Sequence, residues 1–333
     1  MRAARSGIGI VLAGAALRVC GALAAKWVFE RRYGDSADAH DYHAAAVEIA
    51  PRLRSGEFAQ ALTLARNYPW STNYKLPVGT SFIRLFNGGV YAAAGPSKPT
   101  SYVTFSSIGF CGLLCFRRAF TLAVPDGDQR GYMRLLFLHP SVLFWNCTVG
   151  KEAWTTLGLG LGTLGVARTL TGAPARGLAL AAAGGAVTTL VRPQIPLYLG
   201  FGSGFALEER REATPGGSWF EPPKLSAPRN LPRVAASVLF RPYPGEVRNP
   251  LAQVASAESA TLILFTLVRL PRTLRSLRSL RPFTGFVLTA LLGSIGMLAR
   301  LSNAGLLVRE RAPMMPLYLM LLCAAPPCED AAG

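Results

Sequence analysis

Long apolar blocks, each close to the length of a bilayer crossing, dominate this chain. A helix needs about 20 predominantly apolar residues to cross the hydrocarbon core of a membrane. The blocks are rich in Leu, Ala and Gly, and they do not alternate as the strands of a membrane barrel do. They predict an all-α polytopic membrane protein with roughly eight to ten transmembrane helices. The blocks lie at about residues 7–29, 77–95, 102–124, 132–149, 153–170, 177–206, 257–270, 283–299 and 313–327.

Composition supports a membrane location. Only 16% of the 333 residues are charged, whereas soluble domains have roughly 25%. The formal net charge of +17 comes from arginines that lie between the apolar blocks. That pattern is typical of cytoplasmic flanks and of contact with anionic membrane lipid, so no nucleic-acid partner is expected. No P-loop, dinucleotide fingerprint, HExxH or CxxC motif is present, so neither a metal nor a cofactor is expected.

The chain is interpreted as one integral membrane domain, 1–333. The N-terminus predicts a retained first span that starts in the cytoplasm. Residues 30–76 then form a first external loop with an interfacial helix. Residues 207–256, which are charged and rich in proline, form a polar loop. Residues 269–281 have an arginine at every third position and form a basic cytoplasmic segment.

The first external loop contains three aspartates, Asp35, Asp38 and Asp41. Asp38, Asp41 and Tyr42 have the spacing i, i+3 and i+4, so a helix there would place them on one face. Apolar residues between 45 and 50 would let that helix lie on the membrane surface. The acids are either solvated groups favoured by the helix dipole or general bases at the edge of an apolar surface.

Five further charged residues border or interrupt apolar blocks. Lys151 and Glu152 are either helix-end charges or functional groups directed into a cavity. Arg192 lies inside an apolar block, where an arginine costs about 2.5–3.5 kcal/mol in lipid, so it should either meet an anion or reach the interface. The prolines beside it predict a break in the helix. Arg309 and Arg311 precede the last apolar block, either as a flank or as a phosphate clamp.

Several pieces of the sequence, in order, resemble the multi-spanning glycosyltransferases that use polyprenyl-phosphate sugars (GT-C type), in a compact bacterial form. These pieces include GDSADAHDYHAAA, PSVLFWNCTVGKEAW, LVRPQIP and RERAPMMPLYLM. The resemblance implies a polyprenyl-phosphate-linked sugar as donor and a cell-envelope glycan or protein as acceptor. It also implies a multi-pass protein of the cell membrane with an extracytoplasmic active site and transfer with inversion.

The resemblance also implies roles for individual residues. An aspartate of the first external loop is expected to act as general base, and Asp38 or Asp35 matches it. Glu152 is the third catalytic candidate, and Arg192 matches an arginine expected near the lipid phosphate. The substrate-binding candidates are Lys151, Arg192, Tyr42, His43, Arg309 and Arg311.

Two alternatives remain. The chain is short for this class, which is compatible with a non-catalytic membrane subunit or degenerate relative. Arg192 between apolar stretches and prolines is also compatible with a transporter of an anionic or lipid-linked solute.

The glycosyltransferase interpretation requires the first loop and Lys151 to face the same side of the membrane. Three apolar blocks separate them, so one block must be re-entrant or interfacial.

Overall fold

The fold is all-α over the residues that the structure, a computed structural model, describes. Those residues are 2–33, 38–68, 78–196, 219–223, 228–246, 250–278 and 281–324. They contain no strand, and a single bridge pairs Trp219 with Asn303. The predicted all-α class is therefore confirmed.

Fourteen α-helices are described. The first seven are α1 (Arg2–Val28, continued by a π-helical turn, Phe29–Tyr33), α2 (Asp38–Arg54), α3 (Phe58–Asn67), α4 (Val78–Ala94), α5 (Lys98–Ala123), α6 (Gln129–Leu138) and α7 (Pro140–Trp145). The others are α8 (Lys151–Leu170), α9 (Pro174–Val191), α10 (Leu231–Phe240), α11 (Pro250–Arg278), α12 (Pro282–Leu298), α13 (Ala304–Arg311) and α14 (Met315–Cys323).

Four of the described helices are long and apolar enough to cross a membrane. They are Ile8–Arg31, Lys98–Ala123, Pro174–Val191 and Ala252–Arg278, and two shorter apolar helices are Leu231–Phe240 and Pro282–Leu298. Length and composition therefore support an all-α membrane protein. The predicted number of eight to ten spans is not confirmed.

The predicted block 132–149 is two short helices. Helix α6 ends at Leu138, and α7 begins at Pro140. Proline lacks the amide hydrogen that continues a helix and disfavours the helical conformation in the residue before it. His139 accordingly has extended backbone, with φ −64° and ψ 119°. Neither helix alone has the length of a span.

Helices α2, α3 and α4 form a layer at one end of the bundle. Ala45 and Ile49 of α2 are fully buried and pack with Ala61 and Ala65 of α3. The apolar side chains that predicted contact with the membrane surface are thus mostly covered by protein. Val47 is the exception, with 41% of its surface exposed.

Helix α4 does not connect the two ends of the bundle. Its first turn contacts the backbone of Val191, the residue before Arg192. Its last turn leads into Lys98, which pairs with Glu30 at the C-terminal end of α1 (3.5 Å). Both ends of α4 therefore lie at the end of the bundle where α2 begins. The block 77–95 is the one that lies along this end.

Glycine contacts bring α5, α8 and α9 together. Gly112 of α5 faces Gly160 of α8, and Gly165 of α8 faces Gly177 of α9. Small residues at such contacts let the helix backbones approach closely. Helices α5 and α8 run parallel, whereas α9 returns antiparallel to α8. The first turn of α8 consequently lies next to the last turn of α9.

Candidate functional site

Arg309 connects two of the predicted site residues. Its Nε donates to Oε1 of Glu152 at 2.7 Å, and its Nη1 lies 2.7 Å from Oδ2 of Asp38. The first residue of α2 and the first turn of α8 therefore meet at one guanidinium of α13. Burial acts against the charge of Arg309, but the two carboxylates prevail and raise its pKa.

Arg192 binds the same oxygen of that glutamate. Its Nη2 donates to Oε1 of Glu152 at 2.9 Å, and its Nη1 donates to Oε2 of Glu310. The expectation that an anion meets Arg192 is confirmed, and the anions are carboxylates. We call the six neighbouring charged residues the ionic cluster: Asp38, Lys151, Glu152, Arg192, Arg309 and Glu310.

Helix termini bring these side chains together. Glu152 lies in the first turn of α8, where a carboxylate is favoured by the helix dipole. Arg192 is the C-cap of α9, which ends there because Pro193 follows. The predicted break at Arg192 is confirmed. Arg309 lies on α13, whose N-terminus is capped by the side chain of Asn303.

Lys151 is the open cation of the ionic cluster. No hydrogen bond or ion pair joins its side chain to another described residue, although Glu152, Asp38, Arg192 and Arg309 lie close enough to act on it electrostatically. The other two cations each hold two carboxylates. Lys151 is therefore the group with free capacity for an added anion.

The ionic cluster is closed at Glu152 and opens toward Asp38. The side chain of Glu152 is fully buried, that of Arg309 is 22% exposed and that of Asp38 is 37% exposed. Three acids face three bases, so the cluster is balanced in formal charge. Such buried ion pairs are costly to desolvate and are strongly destabilised when one partner is removed.

A cavity of about 240 Å³ adjoins the ionic cluster. Ala39, next to Asp38, and Val149, close to Lys151 in sequence, both line it. His43 lines the same cavity and is hydrogen-bonded through Nδ1 to the hydroxyl of Tyr91 at 2.7 Å. Of the substrate-binding candidates, His43 therefore faces this cavity and lies outside the ionic cluster.

The remaining predicted residues have different positions. Tyr42 is buried in α2, close enough to Asp38, Arg309 and Glu152 to interact with them electrostatically, and burial raises its pKa far above the usual range. Arg311 is fully buried and donates to the backbone carbonyls of Leu239 and Arg241 and to the side chain of Ser259. It does not join the ionic cluster. Asp35 lies outside the described residues.

Sequence reasoning did not select Glu310 as a site residue. It lies between two arginines, which made it resemble part of a basic flank. The need of Arg192 for an anion was the signal that pointed to a carboxylate on another helix.

A second missed group lies at the junction of α6 and α7. Glu258 accepts from Ser141 Oγ at 2.6 Å and lies 2.8 Å from His139 Nδ1. Because both groups bind the carboxylate, the serine is not activated by the histidine, and the group joins α11 to this junction.

No three His, Cys, Asp or Glu side chains in the described part of the chain are grouped as metal ligands. No family model matches this chain, and no curated protein or solved structure matches it either.

Proposed function

We propose that this chain is a membrane glycosyltransferase that moves a sugar from a polyprenyl-phosphate donor to a hydroxyl-bearing extracytoplasmic acceptor, with inversion. One observation carries the proposal. Asp38, Lys151, Glu152, Arg192 and Arg309 come from separate pieces of sequence and converge on one ionic cluster. Four of those pieces carry the resemblance to polyprenyl-phosphate-dependent enzymes.

The cations of the cluster suit the phosphate of the donor. Lys151 has no partner among the described residues, and the positive charges of Arg192 and Arg309 lie close to it. During transfer, negative charge grows on the departing phosphate. Cations fixed in advance beside a partly buried site stabilise that charge more than water does.

Asp38 has an oxygen available for the acceptor. Arg309 holds Oδ2, while Oδ1 has no hydrogen-bond partner among the described residues. The proton of the acceptor hydroxyl passes to Asp38, and the oxygen of that hydroxyl bonds to the anomeric carbon of the sugar. The bond from that carbon to the phosphate oxygen breaks, and the polyprenyl phosphate leaves with the electron pair.

Helix length supports a position for the cluster at the membrane boundary. Helix α9 has 18 residues, which gives about 27 Å at 1.5 Å per residue, close to the roughly 30 Å hydrocarbon core. If Pro174 lies at one boundary, Arg192 lies at the other. The lipid phosphate of the donor also lies at a boundary, within reach of Arg192.

The positive-inside rule supports an extracytoplasmic site. The end of the bundle away from the ionic cluster has the short connections 124–128 and 171–173, the last turn of α11 and the start of α12. Arginines lie in or beside each of these segments: Arg117, Arg118, Arg130, Arg134, Arg168, Arg176, Arg275, Arg278 and Arg281. With that end in the cytoplasm, roughly eight segments cross, namely α1, α5, α6 with α7, α8, α9, α11, α12, and α14 together with the turn before it.

Transfer by the full-length protein in nanodiscs tests the proposal. The donors are radiolabelled polyprenyl-phosphate hexoses and pentoses, and the acceptors are cell-envelope fractions. We expect label to move to an acceptor and Asp38→Asn to abolish the movement while the protein still inserts. Glu57→Gln, in an exposed pair with Arg52, is the control variant. Unchanged transfer by Asp38→Asn would remove this acid from the mechanism.

A second candidate function is a non-catalytic membrane subunit. This function is favoured because Arg192 and Arg309 are each already paired with two carboxylates. In that case the ionic cluster only holds the helices together. Co-purification with a partner enzyme, together with a partner activity indifferent to Asp38→Asn and Glu152→Gln, would favour this function.

A further inference from the structure

The cavity beside the ionic cluster has a lining that the proposed reaction does not yet use. It is enclosed by the C-terminal end of α1 and by α2, α4 and α5. Aromatic rings and neutral hydrogen-bonding groups share its wall: Phe29, Tyr91, Tyr102, His43, Asn87 and Ser101. Its volume of about 240 Å³ is below the roughly 300–1,000 Å³ of pockets for drug-sized ligands, which suits a single ring.

The direction of a hydrogen-bond chain in this wall can be worked out from its buried end. Asn87 Nδ2 donates to the carbonyl of Tyr42 at 3.1 Å, which fixes the orientation of the amide. Asn87 Oδ1 is then the acceptor for Ser101 Oγ at 2.6 Å. A serine has one hydroxyl hydrogen, so Ser101 can only accept at any further bond.

His43 is hydrogen-bonded to another group of this wall. Its Nδ1 lies 2.7 Å from the hydroxyl of Tyr91. If neutral His43 carries its proton on Nδ1, the ring donates to the Tyr91 oxygen and the lone pair of Nε2 is left as an acceptor.

The charged side chains around the cavity are paired with one another. The cavity is therefore not expected to prefer a charged ligand. Lys98 pairs with Glu30 at 3.5 Å, and Glu30 is also bound by Lys26 at 2.8 Å. An anion would compete with Glu30 for Lys98, and a cation would meet Lys98 and two histidines. A neutral ligand with hydroxyl donors and an apolar ring face fits the remaining groups.

We infer that this cavity binds a neutral, polyhydroxylated ligand of the size of one sugar ring, that neutral His43 carries its proton on Nδ1, and that a ligand hydroxyl donates to Nε2. The identity of this ligand as the acceptor's terminal sugar rests on the proposed function. The binding site itself rests on the cavity and on the hydrogen-bonding groups of its wall. A sugar held there lies beside Ala39, the residue that follows Asp38 in the sequence.

Binding should depend on pH because protonated His43 has no acceptor nitrogen. Burial lowers the pKa of His43 below 6.5, Lys98 and His40 lower it further, and Glu30 opposes them. Tyr91, the remaining titratable group in contact with the ring, is a neutral hydroxyl in this range. Binding should therefore persist at pH 6.5 and be lost as pH falls through the lowered value.

Protection from diethyl pyrocarbonate measures the binding. The reagent modifies neutral imidazole, and the chain has three histidines, His40, His43 and His139. In full-length protein in nanodiscs, we expect a panel of methyl hexopyranosides to slow modification of His43 severalfold. Buried His139 is the internal control and should not respond. Absence of protection by every glycoside, or protection by inorganic phosphate alone, would overturn the inference.

Nitrogen-15 NMR of labelled histidine tests the tautomer. Wild-type His43 should carry its proton on Nδ1, and Tyr91→Phe should shift the population toward Nε2 and weaken glycoside protection. An Nε2–H signal for wild-type His43 contradicts the assignment even if the variant does not fold. Protection of His43 without sugar transfer would contradict the proposed function but support this binding site. Sugar transfer without protection would support the proposed function but contradict this binding site.

Discussion

Arg309 reaches Glu152 across 157 residues of sequence, with Nε 2.7 Å from Oε1. The glutamate is fully buried, and the same oxygen accepts from Arg192. One carboxylate thus joins the start of α8, the end of α9 and α13. This sharing makes Glu152 the residue on which the ionic cluster depends.

Replacing Glu152 by glutamine should lower the free energy of unfolding by about 3–5 kcal/mol, because two guanidiniums lose their shared counter-charge. The loss is measured by thermal unfolding of the purified protein in detergent. Proposed transfer activity should fall as well, because Arg192 and Arg309 are no longer fixed.

Glu57→Gln is the matched control for that prediction. The pair of Glu57 with Arg52 leaves 43% of each side chain exposed, and such pairs contribute roughly 0–1 kcal/mol. The unfolding temperature of the Glu57→Gln variant should stay near that of the wild type. Equal losses in the two variants would show that Glu152 does not hold the cluster together.

The contact between α5 and α8 gives a second prediction. A Cβ on Gly160 would lie 2.4 Å from the carbonyl oxygen of Gly112, whereas one on Gly162 meets nothing within 4 Å. Gly160→Ala should therefore destabilise the protein by about 1–3 kcal/mol, since two backbones must separate. Gly162→Ala, two residues further along α8, should be neutral or stabilising. Similar unfolding temperatures for the two variants would contradict the contact.

The sequence predicted the ionic cluster better than it predicted the path of the chain. A charged residue inside an apolar block must meet a counter-charge or reach the interface, so Arg192 pointed to an anionic partner, and the structure shows that this partner is a pair of carboxylates. The starts of helices that are marked by acidic residues or by a preceding glycine were also predictable. Helix α2, for example, begins at Asp38.

The path was not predictable because hydropathy does not distinguish a helix that crosses a membrane from one that lies along its surface. The block that contains α4 was counted among the predicted spans, yet both ends of α4 lie at the end of the bundle where α2 begins. Its orientation follows from long-range contacts, such as the buried bond from Arg84 to Asp41. The cavity at His43 likewise depends on partners 48 residues apart.

A third prediction concerns pH at the opposite end of the bundle. Arg281 binds both carboxylate oxygens of Asp126 at 2.9 Å, and this bond holds the pKa of Asp126 below its usual 3.8. The native state therefore gains stability that is fully present above pH 3.8 and lost as pH falls through the lowered value. Because a quarter of the Asp126 side chain is exposed, the gain is at most about 1 kcal/mol.

The direction of this pH dependence is tested by measuring the unfolding temperatures of the wild type and of Asp126→Asn over a range of pH. The variant should be less stable at pH 7, and the difference should shrink at the acid end of the range. A difference that grows on acidification would contradict the ion pair.

The last prediction separates two buried arginines. Arg84 is fully buried and donates to Asp41 and to the carbonyls of Ala65 and Tyr68. Arg84→Met leaves these acceptors without their donor and should cost about 3–5 kcal/mol.

Arg18 is 3% exposed in the middle of α1, and Nη1 contacts Cys147 Sγ at 3.5 Å. Its Nε and Nη2 have no hydrogen-bond partner among the described residues. A buried guanidinium with two unpaired nitrogens is costly to remove from water, so Arg18→Met should raise the unfolding temperature while Arg84→Met lowers it. A fall in both variants would mean that Arg18 has an anionic partner beyond the described residues.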